Sequence, residues 1–151
     1  SLKLLERALS ARGIKRLLDL GTGTGVLALS AANWGAAQIW AVDPDSSALA
    51  AARRNATESG VANKITFSER EPPSHMRFDG CVANLYLGAL TSAAPLLARV
   101  CKPGSFCIVS GFTEDRQSNV RAAFLAQGFV QANEAIAKPW MAVEWRKSNR
   151  S

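Results

Sequence analysis

Apolar positions in this 151-residue chain alternate between two periods, and the alternation predicts its elements. Leu2, Leu5 and Leu9 fall at helical spacing over Leu2 to Ala11, closed by Gly13. The chain then enters a first strand at Lys15, with the run Leu17, Leu18, Leu20. Val26 to Trp34 is apolar nearly all round and is stopped by Gly35, the pattern of a helix that is buried or covers a sheet. Gln38 to Val42 reads as a second buried strand ending on Asp43. Asp45 is placed to N-cap a third helix, whose stripe is Leu49, Ala52 and Ala56 and whose end is Gly60. Ile65 to Phe67 follows as a short third strand.

The next connection, Glu69 to Arg77, contains Pro72-Pro73 and no helical stripe, so an extended loop is expected. From Ser68 to Arg77 such a loop reaches ~35 Å, enough to pass over two strands spaced ~4.8 Å apart without a crossover helix. Phe78 to Ala83 forms a fourth strand ending at Asn84. Leu87, Leu90, Ala94 and Leu97 resume helical spacing, with Pro95 expected to divide the helix into two pieces. Lys102-Pro103-Gly104 reads as a turn and Ser105 to Ser110 as a fifth strand. Thr113 is expected to cap a helix with Val120 and Phe124 on its core face, ending at Gly128. Phe129 to Ile136, a turn at Ala137 to Pro139, and Trp140 to Arg146 read as an antiparallel hairpin. Strands alternating with helices predict an α/β, doubly wound sheet in one domain spanning 1–151.

Composition narrows the function classes. No apolar run approaches the ~20 residues of a membrane span, and the first residues lack the apolar centre of a signal peptide, so a cytoplasmic protein is expected. Cys81, Cys101 and Cys107 are odd in number and lack C-x-x-C spacing, which reads as buried free thiols rather than a disulfide framework or metal site. The net charge of +6 is carried by basic residues scattered along the chain, with short clusters at Lys15-Arg16, Arg53-Arg54 and Arg146-Lys147. They are read as solvated surface, with direct contact to RNA as the lesser alternative.

The candidate chemistry lies between the first two strands. Gly21-Thr22-Gly23-Thr24-Gly25 removes side chains where a strand hands over to a helix, so that a ligand can lie against bare backbone. Asp43 follows Gly21 by 22 positions, close to the spacing that places a carboxylate on ribose hydroxyls. The pattern is G-x-G-x-G rather than G-x-G-x-x-G, and it is preceded by Asp19, which would repel a pyrophosphate and suits a cationic ligand bearing an amino group. Asn84 ends the fourth strand beside the same crevice, with capping of the next helix as its alternative role.

These residues carry a resemblance. Asp19 to Gly25 resembles motif I of the class I S-adenosylmethionine-dependent methyltransferases, and Asp43 their ribose-binding acid. That resemblance implies a Rossmann-like seven-stranded sheet of order 3-2-1-4-5-7-6 with strand 7 antiparallel. It assigns Asp19, Gly21, Thr22, Gly23, Gly25, Asp43 and Asn84 to S-adenosylmethionine. The segments Val82-Ala83-Asn84-Leu85, Leu97-Ala98-Arg99, Lys102-Pro103-Gly104, Ser110-Gly111-Phe112 and Trp140-Met141-Ala142-Val143 are similar to the catalytic domain of PrmA-type enzymes, which methylate amino groups of a large-subunit ribosomal protein. A protein substrate, and methyl transfer to a lysine or α-amine, are implied. Asn84 and Tyr86 would then act at the reacting amine, with Leu85, Phe112 and Trp140 around the acceptor. For Phe112 and Trp140 an ordinary place in the core is the alternative. Two family features are not found in the sequence: the N-terminal substrate-recognition domain, and an F-G-x-G-x-H-x-T tract before the first helix. An RNA or small-molecule acceptor, or a non-catalytic cofactor-binding role, stays open.

Overall fold

The computed structural model describes residues 1–11 and 13–149. Helix α1 (Leu2–Ala11) leads into β1 (Arg16–Leu20), followed by α2 (Val26–Asn33), β2 (Gln38–Val42), α3 (Ser46–Glu58) and β3 (Ile65–Ser68). An extended 69–77 loop delivers the chain to β4 (Phe78–Asn84), then α4 (Leu87–Val100), β5 (Cys101–Thr113), α5 (Gln117–Ala126), β6 (Phe129–Ala137) and β7 (Trp140–Lys147). The seven strands form one sheet in the order β3-β2-β1-β4-β5-β7-β6. Only β7 runs antiparallel to its neighbours β5 and β6, so the expected architecture is observed.

Alternation along the strands sorts the core into two layers. Leu17, Ile39, Val82 and Ile108 face one way, beneath Leu5 and Leu9 of α1 and Ala28 and Ala31 of α2. Leu18, Cys81, Val109 and Trp145 face the other, beneath Leu90 and Leu97 of α4 and Phe124 of α5. Trp145 is fully buried and stacks on Phe124, ring centroids 5.3 Å apart. The three cysteines are free and buried.

Three local expectations are corrected. Helix α4 is a single element through Pro95. The proline lies on the exposed side, where water can replace the bond it cannot donate, while Leu90, Ala94, Leu97 and Val100 hold both halves against the sheet. Strand β5 starts at Cys101, and Lys102-Pro103-Gly104 forms an irregularity inside it rather than a turn ahead of it: Cys101 pairs with Phe78 and Phe106 with Gly80, so the intervening residues bulge out of the ladder, with Gly104 at φ 78°. Thr113 does not cap α5. It ends β5, its hydroxyl bonds the Asp115 carboxylate, and a 3-10 turn, Glu114–Arg116, intervenes before the helix. Asp45 does cap α3, its carboxylate accepting the N–H groups of Ser47 at 2.9 Å and Ala48 at 3.3 Å.

Candidate functional site

β1 lies between β2 and β4, where the order of strands reverses, and its carboxyl end opens into the crevice typical of such sheets. The glycine turn fills that position. Gly21, Gly23 and Gly25 all take positive φ, at 76°, 56° and 91°. The N–H groups of Gly21 and Thr22 both donate to the Val42 carbonyl, at 2.8 and 2.9 Å, which ties the turn to the end of β2. A Cβ on Gly21 would sit 2.3 Å from Cδ2 of Leu85, and one on Gly25 would sit 2.9 Å from Cδ1 of Leu29. Above Gly23 nothing lies within 4 Å, so its backbone faces open space.

Asp19 stands directly beneath this turn. Its carboxylate is 1% exposed, Oδ2 accepts the Thr22 hydroxyl at 2.7 Å, and Oδ1 has no hydrogen-bond partner among the described residues. Burial pushes its pKa up to about 6; the Thr22 hydroxyl and the Ala28 backbone N–H, which is near the carboxylate but out of hydrogen-bond geometry with Oδ1, pull against the rise, and the nearby Asp43 adds to it. A buried acceptor lacking a donor is a costly feature in a fold. It fits a ligand that brings its own donor, and a cationic one best.

Asp43 does more than the sequence pattern suggests. Its Oδ2 accepts the Gly23 N–H at 2.9 Å and its Oδ1 accepts the Asp45 N–H at 3.0 Å. The acid therefore braces the glycine turn, and each oxygen still has a lone pair for a hydroxyl. Asn55 adds a second brace from α3, donating to the Thr24 carbonyl at 2.9 Å.

Asn84 ends β4 on the other side of the crevice. Its side chain is exposed, and the N-cap position of α4 belongs to Tyr86, without a side-chain capping bond, so the capping role is not realised. Instead Asn84 lines a cavity of about 620 Å³ with Leu2, Ser110, Gly111, Ile136 and Trp140. Gly111 shapes the junction: at φ 102°, its Cβ would fall 2.2 Å from the Leu85 carbonyl oxygen. The remaining sequence candidates divide. Trp140, 57% exposed, reaches the cavity. Phe112 does not, because its ring is 2% exposed and packs in the core beneath α4 and α5. Leu85 lies half-buried over Gly21, on the glycine-turn side of Asn84, and Tyr86 is 75% exposed outside the cavity lining.

Leu2, Ser110, Gly111 and Ile136 were not marked by the sequence as crevice residues. For Ser110-Gly111 the available signal was a glycine at the carboxyl end of a buried strand next to the switch point. Leu2 and Ile136 come from elements remote in sequence and carry no local signal. Acids gather at the crevice edge, where Asp43, Asp45, Glu69, Glu114 and Asp115 follow strands, interspersed with Arg70, Arg116 and Lys138.

Residues 1–148 match the family model described as ribosomal protein L11 methyltransferase (PrmA). The chain is 33% identical over 172 residues to the ribosomal protein L11 methyltransferase of Chloroflexus aurantiacus, covering 97% of this chain and 52% of that protein. It is also 33% identical over 127 residues to that of Shewanella woodyi, covering 83% and 43%. The chain thus spans about half the length of the curated relatives it matches. A crystal structure of ribosomal protein L11 methylase from Lactobacillus delbrueckii subsp. bulgaricus superposes with a TM-score of 0.88 at 24% identity, over 97% of this chain and 77% of that one. A turn built to hold a ligand against its backbone, on a sheet of this order, agrees with those matches: the chain belongs to the ribosomal protein L11 methyltransferase (PrmA) family.

Proposed function

We propose that this domain binds S-adenosylmethionine at the Gly21–Gly25 turn and directs its methyl group to an amine entering the Asn84 cavity. The acceptor is a lysine or α-amine of a protein, a ribosomal protein being the class to which the family name points. The observation that carries the reading is Asp19: a buried carboxylate with one orphaned oxygen beneath an open glycine turn. Bound there, the cofactor supplies a methyl group on a sulfonium, a good leaving group.

The chain's own residues supply binding and positioning. Asp19 Oδ1 accepts from the amino group of the ligand, and the free lone pairs of Asp43 accept from ribose hydroxyls. Gly23 lets the ligand approach the backbone. Across the crevice, the Asn84 side-chain oxygen orients the acceptor nitrogen. Leu2, Ile136 and Trp140 form apolar walls for an aliphatic stem. Their low polarity favours the neutral, nucleophilic amine over its ammonium form, whose ordinary pKa is about 10.4.

The reading places the domain in the cytosol with the ribosome. Among the described residues no helix is long and apolar enough to cross a membrane. Incubation with radiolabelled S-adenosylmethionine and a ribosome-containing extract tests the proposal. Label in one ribosomal protein is expected. Label confined to RNA would replace the acceptor class, and no label despite measured cofactor binding would replace the catalytic reading.

A further inference from the structure

We propose that the edge of the sheet opposite the crevice is a binding face for single-stranded RNA. Basic residues that are scattered along the sequence are gathered there by the topology, because parallel strands all begin on one edge. Lys15 precedes β1 and Arg16 opens it, Lys64 precedes β3, Arg77 precedes β4, and Lys102 stands near the start of β5. Arg99, in the last turn of α4, joins them.

Contacts show how close these groups come. Asp79 Oδ2 accepts the backbone N–H groups of Lys15 at 3.1 Å and Arg16 at 2.9 Å, while its Oδ1 holds Lys102 Nζ at 2.7 Å. Arg77 and Arg99 both donate to the Ser74 carbonyl, at 2.8 and 3.3 Å, so two guanidinium groups meet at one oxygen. Lys64 donates to the Ala32 carbonyl at 3.2 Å, which is accounted for as compensation of a helix C-terminus. The arginine pair also braces the 69–77 loop, Arg77 donating to the Met76 carbonyl as well at 2.9 Å, and this gathers both cations on one short stretch of the edge. Acids at this edge are fewer: Asp79, Glu71 at 3.7 Å from Arg99, and Glu58 at the end of α3. Cations outnumber acids here, so a polyanion would be drawn to this end.

An aromatic side chain distinguishes nucleic acid from other polyanions. Trp34 ends α2 at this edge and is 37% exposed, two residues beyond the carbonyl that Lys64 holds. Its loop is fixed beside Lys15, since the Ala37 and Gln38 N–H groups donate to Ile14 at 3.2 Å and Lys15 at 2.8 Å. A part-exposed indole on a basic edge is a platform for an unpaired base. The row from β3 to β5 crosses four strand intervals, about 19 Å, long enough to follow several phosphates of an extended single strand. A lipid surface would call for several inserting side chains, and among the described residues Trp34 is the one exposed large apolar residue on this stretch of the edge.

The test is fluorescence anisotropy with a labelled twelve-nucleotide oligoadenylate at 50 and 200 mM salt, using the wild-type chain, the double variant Lys15→Glu/Arg77→Glu, and Trp34→Ala. Wild-type binding that weakens at least tenfold with the added salt, and at least a tenfold loss in both variants with S-adenosylmethionine affinity intact, is expected. Intact cofactor affinity also reports that the variants fold. Equal RNA binding by wild type and both variants would overturn the assignment. So would no binding at 50 mM salt, or displacement of the RNA by vesicles containing phosphatidylserine at matched charge.

Discussion

The Asp43 carboxylate accepts the Gly23 N–H at 2.9 Å, so the acid that ends the second strand holds the glycine turn that ends the first. A residue that looks like a ligand contact in sequence is also part of the scaffold of its own site. Asp43→Ala is therefore expected to weaken S-adenosylmethionine binding by about 1.5–3 kcal/mol, as for loss of charged hydrogen bonds, and to lower the thermal midpoint as well. Asp43→Asn retains an acceptor for Gly23 and should keep most of the stability while losing affinity. Calorimetry and thermal unfolding on both variants separate the two roles. Equal affinity in all three proteins would remove Asp43 from the ligand site.

The raised pKa of Asp19 makes a signed prediction. With a value of about 6 in the fold against 3.8 ordinarily, the native state binds more protons than the unfolded chain between those limits. Stability of the ligand-free domain should accordingly fall as pH rises from about 4 to about 6, by on the order of 3 kcal/mol, and stay lower above that range. Cofactor affinity should move the other way, strengthening from pH 5 to 7 as the carboxylate forms. Asp19→Asn, which keeps an oxygen for Thr22, should raise the thermal midpoint at pH 7.5 while removing cofactor binding. A midpoint unchanged or lowered in that variant would show that the buried charge does not destabilise the fold.

Asn84 supports a cleaner separation, because it caps no helix. Asn84→Ala should leave the thermal midpoint within about 1 °C, corresponding to the small effect of most exposed substitutions. Turnover should fall far more than cofactor affinity. Steady-state kinetics beside calorimetry decides it: parallel losses in turnover and affinity would move Asn84 from the acceptor to the cofactor.

What could be read from the sequence was local. The glycine turn, Asp45 as a cap and the two-strand ending each rest on residues within a few positions of one another, where turn chemistry and periodicity act directly. The misplaced details depend on distant partners. Pro95 is a helix breaker by its own chemistry, yet four buried side chains on the opposite side keep α4 whole. Phe112 reads equally well as a wall or as core, and only the twist of β5 into β7 decides it: the register shifts between Ser110 and Phe112 at Gly111, which turns the ring inward. The acceptor cavity was the least legible part, since Leu2 and Ile136 meet there from elements more than a hundred residues apart.

Gly21 and Gly111 press on the same residue from two sides, and the difference between the contacts yields the last prediction. A Cβ on Gly21 would meet Cδ2 of Leu85, the movable end of a side chain, whereas one on Gly111 would meet the Leu85 carbonyl oxygen, fixed in the backbone by the neighbouring Leu85 N–H bond to Ser110 at 3.0 Å. Both glycines have positive φ, so each alanine substitution carries about 1–2 kcal/mol of conformational cost before any clash. Leu85→Ala removes the obstacle in the first case and leaves it in the second. In denaturant unfolding, Gly21→Ala combined with Leu85→Ala should therefore be more stable than the sum of the single effects by at least about 0.5 kcal/mol, a coupling typical of contacting residues. Gly111→Ala combined with Leu85→Ala should show no such recovery and should lose turnover as well, because moving the Leu85 carbonyl displaces the adjoining Asn84. Additive effects in the Gly21 pair would mean that Leu85 does not pack on the glycine turn. Recovery in the Gly111 pair would mean that its contact is made by the side chain rather than the backbone.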